Sequence, residues 1–170
     1  MEIGIVGAGM IGATLARALV GSGHRVRLAN ARGPDTIAAL ATEMGATAVM
    51  AAEAVKQAEL VIVSIPQGAV QALPQNLFDG VAAGTIVINI GNHYLGMRDP
   101  RIDAIEAGMA ESVWVAQRLK QPMVKAFNSI GFPSPRTGTT RPVHRADAGS
   151  IRQRGTADLV ALGRSIYGAV

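Results

Sequence analysis

The stretch "IGIVGAGMIG" (residues 3–12) decides how this chain is read. An apolar run, IGIV, leads directly into Gly7-x-Gly9-x-x-Gly12. Ile11, Leu15, Ala18 and Leu19 then recur at helical spacing over Met10 to Val20. Strand, glycine turn and helix in that order are the opening of a dinucleotide-binding unit. Gly7 permits the tight turn, Gly9 lets the backbone approach a pyrophosphate, and Gly12 lets helix and sheet pack closely. Amides at the helix start then point at the anion, with the positive end of the helix dipole behind them.

Outward from that turn, strand and helix signals alternate for about 130 residues, the mark of a parallel sheet with crossover helices. RVRLA (25–29) reads as a second strand. Pro34 suits the first position of a helix running to Met44 and stopped by Gly45. TAVM (47–50) is a short third strand and AAEAVKQA (51–58) a short helix. ELVIVSI (59–65) is continuous enough in its apolar run for a strand buried on both faces. A helical region containing Pro74 leads to TIVINI (85–90), the fifth strand. Residues 102–120 are helical in pattern, split near Gly108, and MVKAFN (123–128) is the sixth strand. The expected architecture is an α/β, doubly wound parallel sheet in the order 3-2-1-4-5-6, a single domain with a short irregular C-terminal tail. Residues 1–132 form the dinucleotide-binding domain, and 133–170 a basic tail with a short helix expected over 157–170.

Composition narrows the class. Apolar residues make up 49% and charged residues 16%, a balance suited to a globular chain rather than a disordered one. No apolar run approaches the roughly 18 residues of a membrane span, and the first residues read as a strand rather than a signal peptide. Without cysteine there is no disulfide framework, thiol nucleophile or zinc cluster. The expectation is a cytoplasmic protein without a membrane partner. The net charge of +4 lies wholly in 133–170, where six arginines face Asp147 and Asp158. That segment lacks the interleaved aromatics of base-stacking surfaces, so a solvated end is expected there rather than a nucleic-acid site.

In this fold an acid about 20 residues beyond the glycines takes the ribose diol of NAD, whereas an arginine there takes the 2′-phosphate of NADP. The stretch "LANARGPDT" (28–36) offers Asn30 and Arg32, with no carboxylate before Asp35. A carboxylate would repel the phosphate, while a guanidinium can hold two of its oxygens. Asn30 can hydrogen-bond ribose or phosphate without adding charge. The site therefore favours NADP(H).

Together, VGAGMIG, ANARGP, VIVSIP, the run from GNHY through MRDPRIDAIEAG, and above all MVKAFNSI resemble the coenzyme F-420-dependent NADP oxidoreductase family over about residues 1–130. The resemblance implies a Rossmann domain that transfers a hydride between NADPH and a second flat redox cofactor, a deazaflavin such as coenzyme F-420 or a flavin. It implies cofactor contacts from Gly7, Gly9, Met10 and Ile11 at the pyrophosphate, joined by Gly12 of the glycine motif. Arg32 corresponds to the phosphate-binding arginine, preceded here by Ala31 where relatives commonly carry Ser or Thr. Ser64, Ile65 and Pro66 correspond to the turn against the nicotinamide ribose, and Asn92 to the asparagine on the nicotinamide side. Lys125 and Asn128 belong to the strand whose end points toward the same cleft. The helix–strand unit that relatives carry before a "DAGS"-like stretch is shortened here, since Asp147 follows Ile130 by only seventeen positions.

No Ser-His-Asp spacing, metal-ligand cluster or carboxylate pair stands out, so no catalytic or metal-binding side chain is assigned. His24 reads as a loop residue and His144 as part of the tail. His93 lies beside Asn92, placed either to touch the acceptor or to serve an ordinary surface role. Hydride transfer between stacked rings needs alignment and water exclusion more than side-chain chemistry. An NADP(H)-binding module without turnover is the alternative reading. The tail is expected to pack on a sheet edge or on a second subunit as a homodimer, because an uncovered edge invites pairing.

Overall fold

A computed structural model describes residues 1–127. Six parallel strands form one sheet: β1 (Glu2–Val6), β2 (Arg25–Ala29), β3 (Thr47–Ala48), β4 (Leu60–Val63), β5 (Ile86–Asn89) and β6 (Val124–Lys125). Their order is β3-β2-β1-β4-β5-β6, the doubly wound order expected from the sequence.

Each central strand is apolar on both faces because helices cover both. On one face Ile3, Ile5, Leu28, Ile62 and Ile88 pack with Leu15, Ala16 and Leu19 of α1 (Met10–Gly21) and Met44 of α2 (Ala38–Met44). On the other, Val6, Val61, Val63 and Val87 meet Ala54 and Val55 of α3 (Ala51–Val55) and Val115 and Leu119 of α5 (Glu111–Leu119). Burying one such aliphatic side chain stabilises the fold by about 1.5–3 kcal/mol. The apolar alternation thus fixes which way each strand faces.

The strands end level with one another. Val6 pairs in register with Ala29 on one side and Val63 on the other; Val63 pairs with Asn89, and Asn89 with Lys125. Five strands therefore deliver their next residues to one edge of the sheet, the carboxyl edge where open parallel sheets bind ligands.

Several elements are shorter than the sequence pattern predicts. The helix expected from Pro34 begins as a 3-10 turn (Pro34–Ile37) before α2, and the third strand keeps only two residues. The helix expected over 51–58 stops at Val55, because Lys56 is extended and Gln57 takes a positive φ of 59°. Between β4 and β5 there is no α-helix. A 3-10 helix (Gln67–Ala72) and tight turns make the connection, and Pro74, lacking an N–H, follows where a helix would need one. The split at Gly108 falls as expected: φ is +97° there, between α4 (Asp103–Glu106) and α5. The boundary at 132, the basic tail and its helix over 157–170 lie outside the described residues. Among the described residues no helix is long and apolar enough to cross a membrane.

Candidate functional site

The turn after β1 is built by contact with the turn after β4. Gly7 has a φ of +121° and donates its N–H to the Ala29 carbonyl at 2.8 Å. A Cβ at Gly7 would lie 2.1 Å from the Ser64 carbonyl oxygen, and one at Gly12 would lie 1.9 Å from the Gly7 carbonyl oxygen and 3.2 Å from Ser64 Oγ. Backbone occupies both places, so neither glycine tolerates a side chain. Four sequence-predicted residues, Gly7, Gly12, Ser64 and Ile65, are thereby brought together.

Gly9 is different. It caps α1 and is exposed, and among the described residues nothing lies within 4 Å of where its Cβ would be. Packing does not need a glycine there, whereas a ligand lying on the backbone would. The first intrahelical bond runs from the Ala13 N–H to the Gly9 carbonyl at 2.8 Å. The preceding first-turn N–H groups have no acceptor within the helix. No side chain caps the helix and no acid stands in its first turn. Among the described residues the helix end thus keeps free donors and its positive dipole, the requirements of a phosphate group. Met10 and Ile11 on the same turn remain 65% and 45% exposed, an apolar lip beside that anion position.

The loop after β2 is folded by Asn30. Its Oδ1 accepts the Arg32 N–H at 3.1 Å and its Nδ2 donates to Thr36 Oγ1 at 2.8 Å. Thr36 in turn donates to the Gly33 carbonyl at 2.8 Å. Asn30 therefore shapes the loop that carries Arg32. Arg32 itself is exposed and makes no ion pair among the described residues, so Asp35, three positions on, does not neutralise it.

The far half of the carboxyl edge comprises Ser64–Pro66 after β4 and Gly91–Pro100 after β5. Pro66 is exposed, with Ile65 partly buried behind it. Asn92 donates from Nδ2 to the Tyr94 hydroxyl at 3.2 Å, and its carbonyl accepts Arg98 Nη2 at 2.6 Å. Beneath this loop lies Asp99, its side chain 1% exposed. It accepts the Gly68 N–H at 3.0 Å, the Tyr94 N–H at 2.9 Å and Arg98 Nη2 at 2.9 Å. Burial alone would push the Asp99 carboxyl up, but the Arg98 guanidinium and the two N–H groups outweigh it and hold its pKa below the ordinary aspartate value. Arg98 also stacks over the Tyr94 ring, 5.1 Å from its centroid.

His93 has its side chain 4% exposed, with Nε2 3.0 Å from the Pro100 carbonyl and Nδ1 3.7 Å from Glu106 Oε1. Its ring is turned toward Pro100 and Glu106 and braces the loop from within. Lys125, at the end of β6, is paired with the Glu111 carboxylate in the first turn of α5. Asn128 lies outside the described residues.

Sequence reasoning missed three residues here. Asp99 carries no motif, and its value comes from donors that the fold brings from Gly68, Tyr94 and Arg98. Gln67 and Asn89 are buried amides at 0% and 1% exposure. Asn89 did leave a signal, being a polar residue inside the apolar run VINI.

A family model described as NADP oxidoreductase, coenzyme F-420-dependent, matches residues 2–93. A hypothetical protein from Sinorhizobium meliloti superposes with a TM-score of 0.72 at 24% identity, over 98% of this chain and 82% of its own. A protein from Arthrobacter sp. FB24 assigned as an F-420-dependent NADP reductase gives a TM-score of 0.70 at 19% identity, over 98% and 80% of the two chains. An imine reductase from Streptomyces aurantiacus gives 0.62 at 22% identity, over 99% of this chain and 53% of its own. No curated protein sequence matches significantly. At these identities the structural likenesses show the fold alone, while the family match spans more than half of the sequence. The chain belongs to the coenzyme F-420-dependent NADP oxidoreductase family and is an NADP-dependent oxidoreductase.

Proposed function

We propose that this enzyme moves a hydride between NADPH and a flat redox acceptor, a deazaflavin such as coenzyme F-420 or a flavin. The observation that carries the NADP half is the exposed Arg32, without an ion pair among the described residues, on a loop that Asn30 folds beside the glycine turn. Gly9 and the free amides at the start of α1 hold the pyrophosphate, with Gly7 and Gly12 shaping the turn. Arg32 takes the 2′-phosphate, and Asn30 keeps the loop that presents it. Met10 and Ile11 cover the dinucleotide from one side. Ser64, Ile65 and Pro66 bear on the nicotinamide ribose, and Asn92 faces the nicotinamide side. When bound, the nicotinamide supplies the hydride chemistry. The chain's own part is to align two rings and exclude water. Exposed apolar side chains, Met10 and Ile11 after β1 and Tyr94, Leu95 and Met97 after β5, suit a planar acceptor rather than a small charged substrate. The same reading carries a cytoplasmic setting and a homodimer, the latter tested by light scattering.

The test is NADPH oxidation followed optically, with oxidised coenzyme F-420, FMN and FAD offered in turn and NADH as the competing donor. Turnover with one acceptor and a preference for NADPH is expected. Binding of NADPH without oxidation by any of the three would remove the acceptor class, and a preference for NADH would remove the role of Arg32.

A further inference from the structure

We propose that Gln67 and Asn89 are positioning residues that set the spacing of the two turns on the nicotinamide side of the cleft; this rests on the function proposed above. Both are buried amides at the carboxyl edge, Asn89 ending β5 and Gln67 opening the 3-10 helix after β4. Asn89 Oδ1 accepts the Gly91 N–H at 2.8 Å. Gln67 Nε2 donates to the Glu111 carbonyl at 3.3 Å, and the Glu111 carboxylate holds Lys125, the register neighbour of Asn89 on β6. Four elements are thus tied together at one point.

The two amides meet at Gly91. A Cβ there would lie 2.9 Å from the Ile65 carbonyl oxygen and 3.2 Å from both Asn89 Oδ1 and Gln67 Oε1. Gly91 is therefore wedged between the turn after β4 and the two amides. Ile65 lies on one side of the wedge and Asn92 is the next residue along the chain on the other, so the amides fix how far apart those two stand.

Stability does not account for the pair. Gln67 Oε1 and Asn89 Nδ2 are buried without a hydrogen-bond partner among the described residues. A buried polar group left without a partner destabilises the fold. Apolar residues of similar size would fill an otherwise Val- and Leu-lined face at lower cost. What apolar residues would not supply is the directed bond to the Gly91 N–H and the tie to Glu111. Hydride transfer rewards such positioning, since a displacement of about 1 Å at the reacting atoms costs on the order of 100-fold in rate.

The test uses Asn89→Leu and Gln67→Met, which keep volume and remove the bonds, and Asn89→Asp, which keeps an acceptor for the Gly91 N–H. Four quantities are read: affinity for NADPH and for 2′,5′-ADP, turnover with whichever of coenzyme F-420, FMN or FAD the wild type reduces, the isotope effect with NADPH deuterated at C4, and the fluorescence lifetime of bound NADPH. Asn89→Leu and Gln67→Met are expected to keep 2′,5′-ADP affinity, to lose about 10- to 100-fold in turnover with a larger isotope effect, and to shorten the bound lifetime. Asn89→Asp is expected to stay close to wild type. Unchanged turnover, isotope effect and lifetime in both bond-deleting variants would overturn the proposal. So would a loss of 2′,5′-ADP binding in step with thermal stability, which would mark the amides as structural only. A wild type that binds NADPH but reduces no acceptor defeats the proposed function instead, and the lifetime measurement still decides whether the two amides position the nicotinamide side.

Discussion

Replacing Arg32 with alanine isolates one phosphate group. NADPH and NADH differ only in the 2′-phosphate, so the ratio of their affinities reports on what holds it. Arg32 makes no ion pair among the described residues, and the bond from its backbone N–H to Asn30 Oδ1 survives any side-chain change. The substitution therefore removes the guanidinium without unfolding the loop, and the melting temperature should hold. A hydrogen bond to a charged group contributes about 1.5–3 kcal/mol. The exposure of Arg32 argues for the lower end, because solvent and salt screen it. About 1.5–2 kcal/mol corresponds to roughly a 10- to 30-fold weaker NADPH complex. Titration calorimetry with NADPH, NADH and 2′,5′-ADP measures this, with 2′,5′-ADP falling in parallel with NADPH and NADH nearly unmoved. Raising the ionic strength should narrow the gap between wild type and variant. Equal losses for NADPH and NADH, or none for either, would refute the assignment of Arg32 to the phosphate.

Gly9→Ala and Gly12→Ala should separate binding from folding. Alanine at 12 meets the Gly7 carbonyl and should destabilise the fold by about 1–3 kcal/mol or more, read from denaturant midpoints. Alanine at 9 has open space and a φ of −72°, so stability should hold while NADPH affinity falls. Asp99 gives a pH dependence with a defined sign. Its folded pKa is depressed, so its stabilising effect is present above the ordinary aspartate pKa and is lost as pH falls through the folded value. Thermal melts of wild type and Asp99→Asn should accordingly differ at neutral pH and converge in acid. His93→Gln should leave the pH profile of turnover unaltered, since the ring is turned to Pro100 and Glu106; a displaced profile would make His93 a proton donor after all.

The glycine turn and the strand order were legible because both rest on local patterns: three glycines after an apolar run, and a period that switches between two and 3.6. Element lengths were less so. The β4–β5 connection looked helical, but it closes by short-range 3-10 bonds such as Leu73 N–H to the Val70 carbonyl, with Pro74 next in the chain. Asn30 was legible as a residue type, while its work inside the loop depended on Thr36, six positions away. Gln67, Asn89 and Asp99 matter through partners 31 to 44 residues distant or through burial, and neither is written in any local spacing.

The level ends of the strands also govern what engineering this protein tolerates. A strand advances about 3.3 Å per residue, so one residue inserted within β1, β4 or β5 would raise its turn by that amount relative to its neighbours. The floor under an extended cofactor would become a step, and half of the molecule would lose contact. The opposite edge carries no such demand. The turn through Ser22 and Gly23 before β2, and the one at Ala83 and Gly84 before β5, lie at that edge with exposed residues at their tips. Tags, insertions or new chain ends belong there, where length can vary freely.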